Sequence, residues 1–257
     1  MTELVDISDN GKVLRMRMNR PEKKNALTLA MYQALADGIE RAENDPAIRA
    51  VTISGTGDAF TSGNDLADFL NAPKSNGVNP AIRFLTAISS ARKPLLAGVN
   101  GFAVGIGVTM LLHCDLVYAA EEATFHLPFV NLGLVPEAAS SFLLPRLVGH
   151  HRAAELLLFG NKFDAHAAKE MGLVNAIHPR SELDAVIEER AMTLAAKPPE
   201  ALRITKELLK GEALSAAVTT QFSREQAHFQ RQLRSPEARE AMKAMLQKRP
   251  PDFSRLT

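Results

Sequence analysis

Strand-like and helix-like segments alternate through the first two-thirds of this 257-residue chain, and the remainder turns almost wholly helical. This order predicts an α/β fold with a helical C-terminal segment. Composition agrees. With 46% hydrophobic and 23% charged residues the chain is ordinary for a globular protein, and at this length it can bury a core without disulfide or metal staples.

The elements follow in order. Leu14, Met16 and Met18 alternate with Arg15 and Arg17, the period of a half-buried strand. Residues 19–27 (NRPEKKNAL) read as a loop. Thr28 can cap a helix in which Tyr32, Leu35, Ile39 and Ala42 recur at spacings of three and four. Ala50–Ser54 is a short apolar strand. Residues 55–66 (GTGDAFTSGNDL) are turn-like, and Asp65 opens a stretch that can be helical. A loop at 72–80 precedes a helix over Ala81–Ala91. Leu95–Val99 is a strand, NGFAVGIG (100–107) a turn, Val108–Cys114 a helix and Leu116–Ala120 a strand. After Ile177 the pattern changes. Leu183, Val186, Ile187, Ala191, Leu194 and Ala195 form a helical stripe, Pro198-Pro199 breaks it, and helices are expected near 199–210, 213–233 and 236–248. We divide the chain into a core over 1–196 and a helical region over 197–257.

Several function classes are excluded. A net charge of +1, 5% aromatics and no Trp argue against nucleic-acid binding. The single Cys114 rules out a disulfide framework and a Cys-based zinc site, and fits a reducing cytosol. Pro94–Cys114 has no charged residue, but Pro94, Asn100, His113 and four glycines make it a buried strand, turn and helix rather than a membrane span. The N-terminus has no basic region before an apolar run, and FSRLT is not a peroxisomal tripeptide. A cytoplasmic protein is expected. The phosphate-loop, dinucleotide, nucleophile-elbow and H-E-x-x-H motifs are missing. Adjacent His150 and His151 point about 100° apart on a helix and do not converge on a metal.

Three features can carry chemistry. Ser62-Gly63-Asn64-Asp65-Leu66 and Gly105-Ile106-Gly107 are glycine turns, each leading toward a possible helix. Backbone N–H groups at such turns are unpaired and can hold a developing oxyanion, though most glycine turns only redirect the chain. The third is Pro136-Glu137. Glu137 reads either as a carboxylate in the first turn of a helix, favoured by the dipole, or as a general base. The second reading draws on Phe129, Val130, Leu132, Leu134, Val135, Ala138 and Ala139, whose apolar company would raise its pKa.

Phe60–Leu66, Ala97–Gly107, and Ala123–His126 with Pro136-Glu137 resemble, in order and spacing, the crotonase (enoyl-CoA hydratase/isomerase) superfamily, and the likeness runs from Asn19-Arg20-Pro21 to Lys248-Arg249. It implies a spiral of ββα units, a helical C-terminal trimerisation region giving a homotrimer or dimer of trimers, and acyl-CoA thioesters as ligands, with no cofactor beyond the coenzyme A of the substrate. By the same resemblance the oxyanion donors are the amides of Asn64 and Ile106, the latter standing where many members have glycine. The hydratase glutamates fall at Thr109 and Phe129, neither of which can do their work. The motifs look most like the peroxisomal-type Δ3,Δ2-enoyl-CoA isomerase branch, in which one glutamate at the Glu137 position acts alone, with Ala138 replacing a frequent glycine. Substrate contacts are implied for Lys24, Asn25, Ala26 and Leu27 beside Lys23, for Ser62, Asp65, Leu66, Gly105 and Phe129, and for Lys248 with Arg249. Cys114 and His126 read as structural. A hydratase, another reaction of the superfamily, or a non-catalytic acyl-CoA-binding protein remain the alternatives.

Overall fold

The computed structural model describes residues 3–65, 68 and 79–254. Two sheets organise it. The larger contains β1 (Val5–Asp9), β2 (Val13–Met18), β3 (Ala50–Gly55), β5 (Leu95–Val99), β7 (Leu116–Ala120) and β10 (Ala176–His178), in that order. The smaller contains β4 (Ala59–Thr61), β6 (Phe102–Val104), β8 (Thr124–His126) and β9 (Lys162–Asp164). Pairing is parallel except at the edges, where β1–β2 and β8–β9 are antiparallel. Three times in succession the chain lays a strand in the large sheet and the next in the small one: β3 then β4, β5 then β6, β7 then β8. This is the α/β class read from the sequence and the spiral of ββα turns that the resemblance implies.

The step between sheets is tight. A Cβ built on Gly101, between β5 and β6, would lie 2.0 Å from the Asp58 carbonyl oxygen of the preceding turn of the spiral. Only glycine fits there. The short strands β4 and β6 lie inside segments that read as turns; three residues are too few to show a period of two. Strands β1, β9 and β10 were likewise not expected from the sequence.

Helix α1 (Leu29–Asn44) forms where its stripe places it. Thr28 Oγ1 accepts from the Met31 amide at 3.2 Å, and Met31, Tyr32, Leu35, Ala36, Ile39 and Ala42 are buried. Helix α2 (Pro80–Ser90) packs on α1, and the short α3 (Ile106–Thr109) passes into a 3-10 turn at Met110–His113. Then come α4 (Ser140–Val148), α5 (His150–Phe159), which opens on the exposed His150-His151 pair, α6 (Ala165–Glu170) and α7 (Arg180–Ala195). Helix α7 turns Leu183, Ile187, Ala191 and Ala195 inward, and Ile187 occupies the space a side chain at Gly98 of β5 would need. Helices α8 (Pro199–Lys210), α9 (Glu212–Gln232) and α10 (Pro236–Leu246) complete the helical region close to the expected bounds. Buried Lys206 ties α8 to the large sheet by donating to Asp115 at 2.6 Å and to the Lys93 carbonyl at 2.7 Å. Among the described residues no helix is long and apolar enough to cross a membrane.

Candidate active site

Strands β4 and β6 are parallel neighbours, so both glycine turns leave the same end of the small sheet. Ligands in α/β sheets bind at that carboxyl end. The turns pack side by side. A Cβ on Gly63 (φ +94°) would lie 3.1 Å from the Val104 carbonyl oxygen, and one on Gly107 would lie 2.7 Å from Thr61 Cγ2. Leu27 bridges Asn64 as an added parallel strand: its N–H bonds the Gly63 carbonyl and its own carbonyl accepts from Asp65, at 2.8 and 2.9 Å. That geometry uses the backbone of the flanking residues and turns the Asn64 N–H the other way. Ile106 opens α3 after Gly105 (φ +55°), so its N–H is one of the helix's unpaired first donors.

A cavity of about 210 Å³ lies between the first of these turns, at Asn64, and the helices α1, α2 and α9. Tyr32 of α1, Asn64, Glu137 and Ala138 line it, with Ile82 and Leu85 of α2 and Phe222, Glu225 and Phe229 of α9. The Tyr32 hydroxyl donates to Asn64 Oδ1 at 2.5 Å. Thr109 Oγ1 donates to Glu137 Oε1 at 2.5 Å.

Glu137 is not in the first turn of a helix. Helix α4 starts at Ser140, and Ala138 and Ala139 between them take left-handed backbone, at φ +61° and +54°. The dipole reading of Glu137 therefore fails, and the residue points its carboxyl into the cavity from a turn. Burial among apolar groups pushes its pKa up to about 8, the Thr109 hydroxyl opposes the shift, and the Glu225 charge adds to it. His113, buried and held near a pKa of 4 by desolvation, donates Nε2–H to the Ala138 carbonyl at 2.8 Å. A neutral imidazole thus pins the same turn.

Other candidate residues fall elsewhere. Gly105 and Ile106 do not line the cavity, and Phe129 is packed in the core. Asn25 is fully buried: Nδ2 donates to the Thr56 and Ala59 carbonyls at 2.9 and 2.8 Å, and Oδ1 accepts from the Arg20 amide at 2.8 Å. Its side chain holds the 19–27 loop, and Leu27 is core. Lys24 pairs with Asp58 at 2.6 Å on the surface, next to exposed Lys23 and half-buried Ala26. The Ser62 amide donates to the Lys24 carbonyl at 2.9 Å. Asp65 pairs with Arg20 at 2.7 Å. Lys248 is exposed, and Arg249 is already engaged by Glu240 at 2.6 Å. Leu66 and residues 72–78 of the expected loop lie outside the described residues. Cys114, its thiol pushed up to about 12 by burial, is inert, and His126 donates Nε2–H to the Gly160 carbonyl at 2.8 Å. No group of metal-ligating side chains occurs among the described residues.

Sequence reasoning missed two residues. Tyr32 reads as one member of an apolar stripe, and only the fold brings it to Asn64. Glu225 lies in the polar α9 sequence with nothing local to single it out; a glutamate next to Phe222 and Phe229 at helical spacing is its one weak signal.

Comparison with known proteins gives the same family throughout. The family model for enoyl-CoA hydratase/isomerase matches residues 8–255. The rat enoyl-CoA delta isomerase 2 is 41% identical over 212 residues, covering 79% of this chain and 54% of that protein. The chain thus spans about half the length of the curated delta isomerase 2 proteins it matches. The 2,3-dehydroadipyl-CoA hydratase of Escherichia coli K12 is 33% identical over 254 residues, 98% of this chain and 99% of that one. The crystal structure of an enoyl-CoA hydratase/isomerase from Pseudoalteromonas atlantica T6c superposes with a TM-score of 0.95 at 44% identity, covering 98% and 100% of the two chains. With the spiral of paired sheets, these matches make the chain a member of the crotonase, or enoyl-CoA hydratase/isomerase, superfamily.

Proposed function

We propose that this chain is an enoyl-CoA isomerase that moves a double bond from C3 to C2 of an acyl-CoA thioester with Glu137 as its single base. One observation carries this reading: Glu137 enters the cavity with a neutral hydroxyl, that of Thr109, as its hydrogen-bond partner. Water addition needs a base for the water and an acid for the α-carbon. The lining of the cavity contains a second carboxylate, Glu225, but it accepts hydrogen bonds from the Ala139 and Ser141 amides and the Ser141 hydroxyl. Burial raises its pKa and these hydrogen bonds oppose the shift; its oxygens, engaged by the turn, are turned away from substrate, and it is a poor second acid.

The chemistry follows. Ionised Glu137 removes a proton from C2, and the electron pair moves through the diene system onto the thioester oxygen. The N–H groups of Asn64 and Ile106 stabilise that oxyanion; losing one such donor costs about 2.7–4 kcal/mol. Protonated Glu137 then delivers the proton to C4, on the same face of the substrate. The apolar walls from α2 and α9 keep water from competing for it. No metal or redox cofactor enters these steps. We also propose a homotrimer or dimer of trimers; Leu208 and Leu209 of α8, 77% and 80% exposed, are apolar surface of the kind such an assembly buries.

The base must be ionised, so kcat/KM should rise with pH through an acid limb near 8, set by the raised pKa of Glu137. A pH–rate profile on a 3-enoyl-CoA reads it directly. A profile flat from pH 6 to 9 would remove Glu137 from the role. The similarity to a hydratase over nearly the whole chain favours a second reading, water addition. One experiment separates the two. A 3-enoyl-CoA deuterated at C2 is turned over in ordinary water, and crotonyl-CoA hydration is assayed in parallel. Single-base transfer predicts deuterium at C4 of the product and negligible hydration. Rapid hydration without isomerisation would overturn the proposal.

A further inference from the structure

Glu225 is a buried carboxylate that the proposed reaction does not use. It lies on α9, in the helical C-terminal region, 88 residues beyond Glu137 in sequence. Its Oε2 accepts from the Ala139 amide at 2.6 Å, and its Oε1 accepts from the Ser141 amide at 3.0 Å and from the Ser141 hydroxyl. Gln221, one turn earlier on α9, donates to Ser141 Oγ at 2.8 Å. Helix α4 has no side-chain cap of its own, because Ala139 stands at its N-cap position. A side chain from a distant helix supplies what a local Ser or Asp would.

The clamp acts on a costly backbone. Two consecutive alanines in the left-handed region each cost about 1 kcal/mol relative to the right-handed one. Those residues join Glu137 to α4. Release of the Ala139 and Ser141 amides would let the turn relax and swing the Glu137 carboxyl from its place beside Thr109.

We propose that Glu225 is a positioning residue, which fixes Glu137 in the cavity by gripping the 138–141 turn from α9 and holds a second negative charge beside it. The proposal rests on Glu137 being the base. The titratable groups around Glu225 are few, and on α9 itself the nearest, Arg224 and His228, are exposed. The 137–141 turn presents Glu137. The 3-10 turn presents neutral His113, which Lys210 at the end of α8 influences. Helix α1 presents Tyr32, whose hydroxyl is held protonated by burial. Helix α2 lines the cavity with Ala81, Ile82, Leu85, Thr86 and Ser89, none of them titratable. With Glu225 made neutral, no other acid lining the described cavity replaces its charge on Glu137.

The test is Glu225→Gln, which keeps the shape and one acceptor oxygen and removes the charge. The expected result is a loss in kcat of about 10²-fold, as for a misplaced reacting group, with KM little changed. The acid limb should also move down by about one pH unit. A purely structural role lowers the rate equally at every pH. Wild-type kcat, or a rate loss with an unmoved acid limb, overturns the proposal. If this variant does not fold, Ser141→Ala decides, since it trims one arm of the clamp and leaves the charge in place. It should lower kcat about tenfold at constant KM, roughly the value of one hydrogen bond to a charged group. Wild-type kcat in Ser141→Ala then overturns the clamp. Titration of the Glu137 carboxyl by infrared difference spectroscopy, without substrate, separates the two ideas. A downward shift in Glu225→Gln supports the charge that Glu225 holds beside Glu137, even if no isomerase activity is found in the wild-type protein, and an unmoved titration overturns it.

Discussion

Glu137→Gln is expected to abolish isomerisation, with kcat reduced about 10³-fold or more, while acyl-CoA still binds. General acid–base catalysis is worth about 10²–10⁴-fold, and here one group takes the proton and also returns it. Gln matches the carboxyl in shape and still accepts from Thr109, so the cavity and its thioester contacts persist. The assay is turnover of a 3-enoyl-CoA beside calorimetric titration with a saturated acyl-CoA. Wild-type-like turnover would end the single-base mechanism, and loss of binding would mean that Glu137 holds the ligand rather than the proton.

The same variant should change stability in a pH-dependent way. The folded pKa of Glu137, about 8, lies above its ordinary value of 4.5. The native state therefore holds the proton more tightly than the unfolded chain does. As pH rises from 4.5 toward 8 the unfolded state ionises first, and this group's contribution to stability falls. Gln cannot ionise. The melting temperature of Glu137→Gln should match the wild type near pH 4 and exceed it above pH 8. A difference that shrinks with rising pH would contradict the buried, proton-loving carboxyl.

The second large effect is expected at the corner of the spiral. In Gly101→Ala the new methyl would meet the Asp58 carbonyl oxygen at 2.0 Å, the Asp58 carbonyl carbon at 2.6 Å and the Ala59 Cα at 3.1 Å. All three are backbone, so no side-chain rotation makes room. Overpacking of this kind costs about 3 kcal/mol, a fall of roughly 10 °C in melting temperature for a chain of this size. Strand β4 would shift, and with it the Gly63-Asn64 turn, so activity should fall as well. Gly11→Ala is the control. No atom lies within 4 Å of its built Cβ, and only its φ of +81° opposes alanine, which should cost about 1 kcal/mol. Equal urea midpoints for the two variants would refute the close approach at Gly101.

Much of this architecture was legible in the residues. Long elements with a full hydrophobic period, such as α1 and α7, declare themselves, because one face must be buried. The three-residue strands do not: β4 and β6 owe their pairing to neighbours brought in by the spiral, and glycine-rich sequence reads as turn in both. The two glycine turns and Glu137 were recognisable by resemblance, because motif spacing records them. The cavity's other walls were not. Tyr32 reaches Asn64, and Glu225 reaches the 138–141 turn, only through contacts distant in sequence. Asn25 shows the opposite error: it carries the polar chemistry of a ligand contact, yet the loop consumes every hydrogen bond it can make.

The two amides proposed to hold the thioester oxygen belong to the main chain rather than to side chains. Among the twenty amino acids only proline lacks that hydrogen, so almost every codon change at positions 64 and 106 leaves the donors intact while altering the bulk around them. Such a grip is robust to mutation and leaves the neighbouring walls free to vary. A lineage could exchange one acyl group for another by drift at these walls, without passing through a form that had lost hold of the carbonyl.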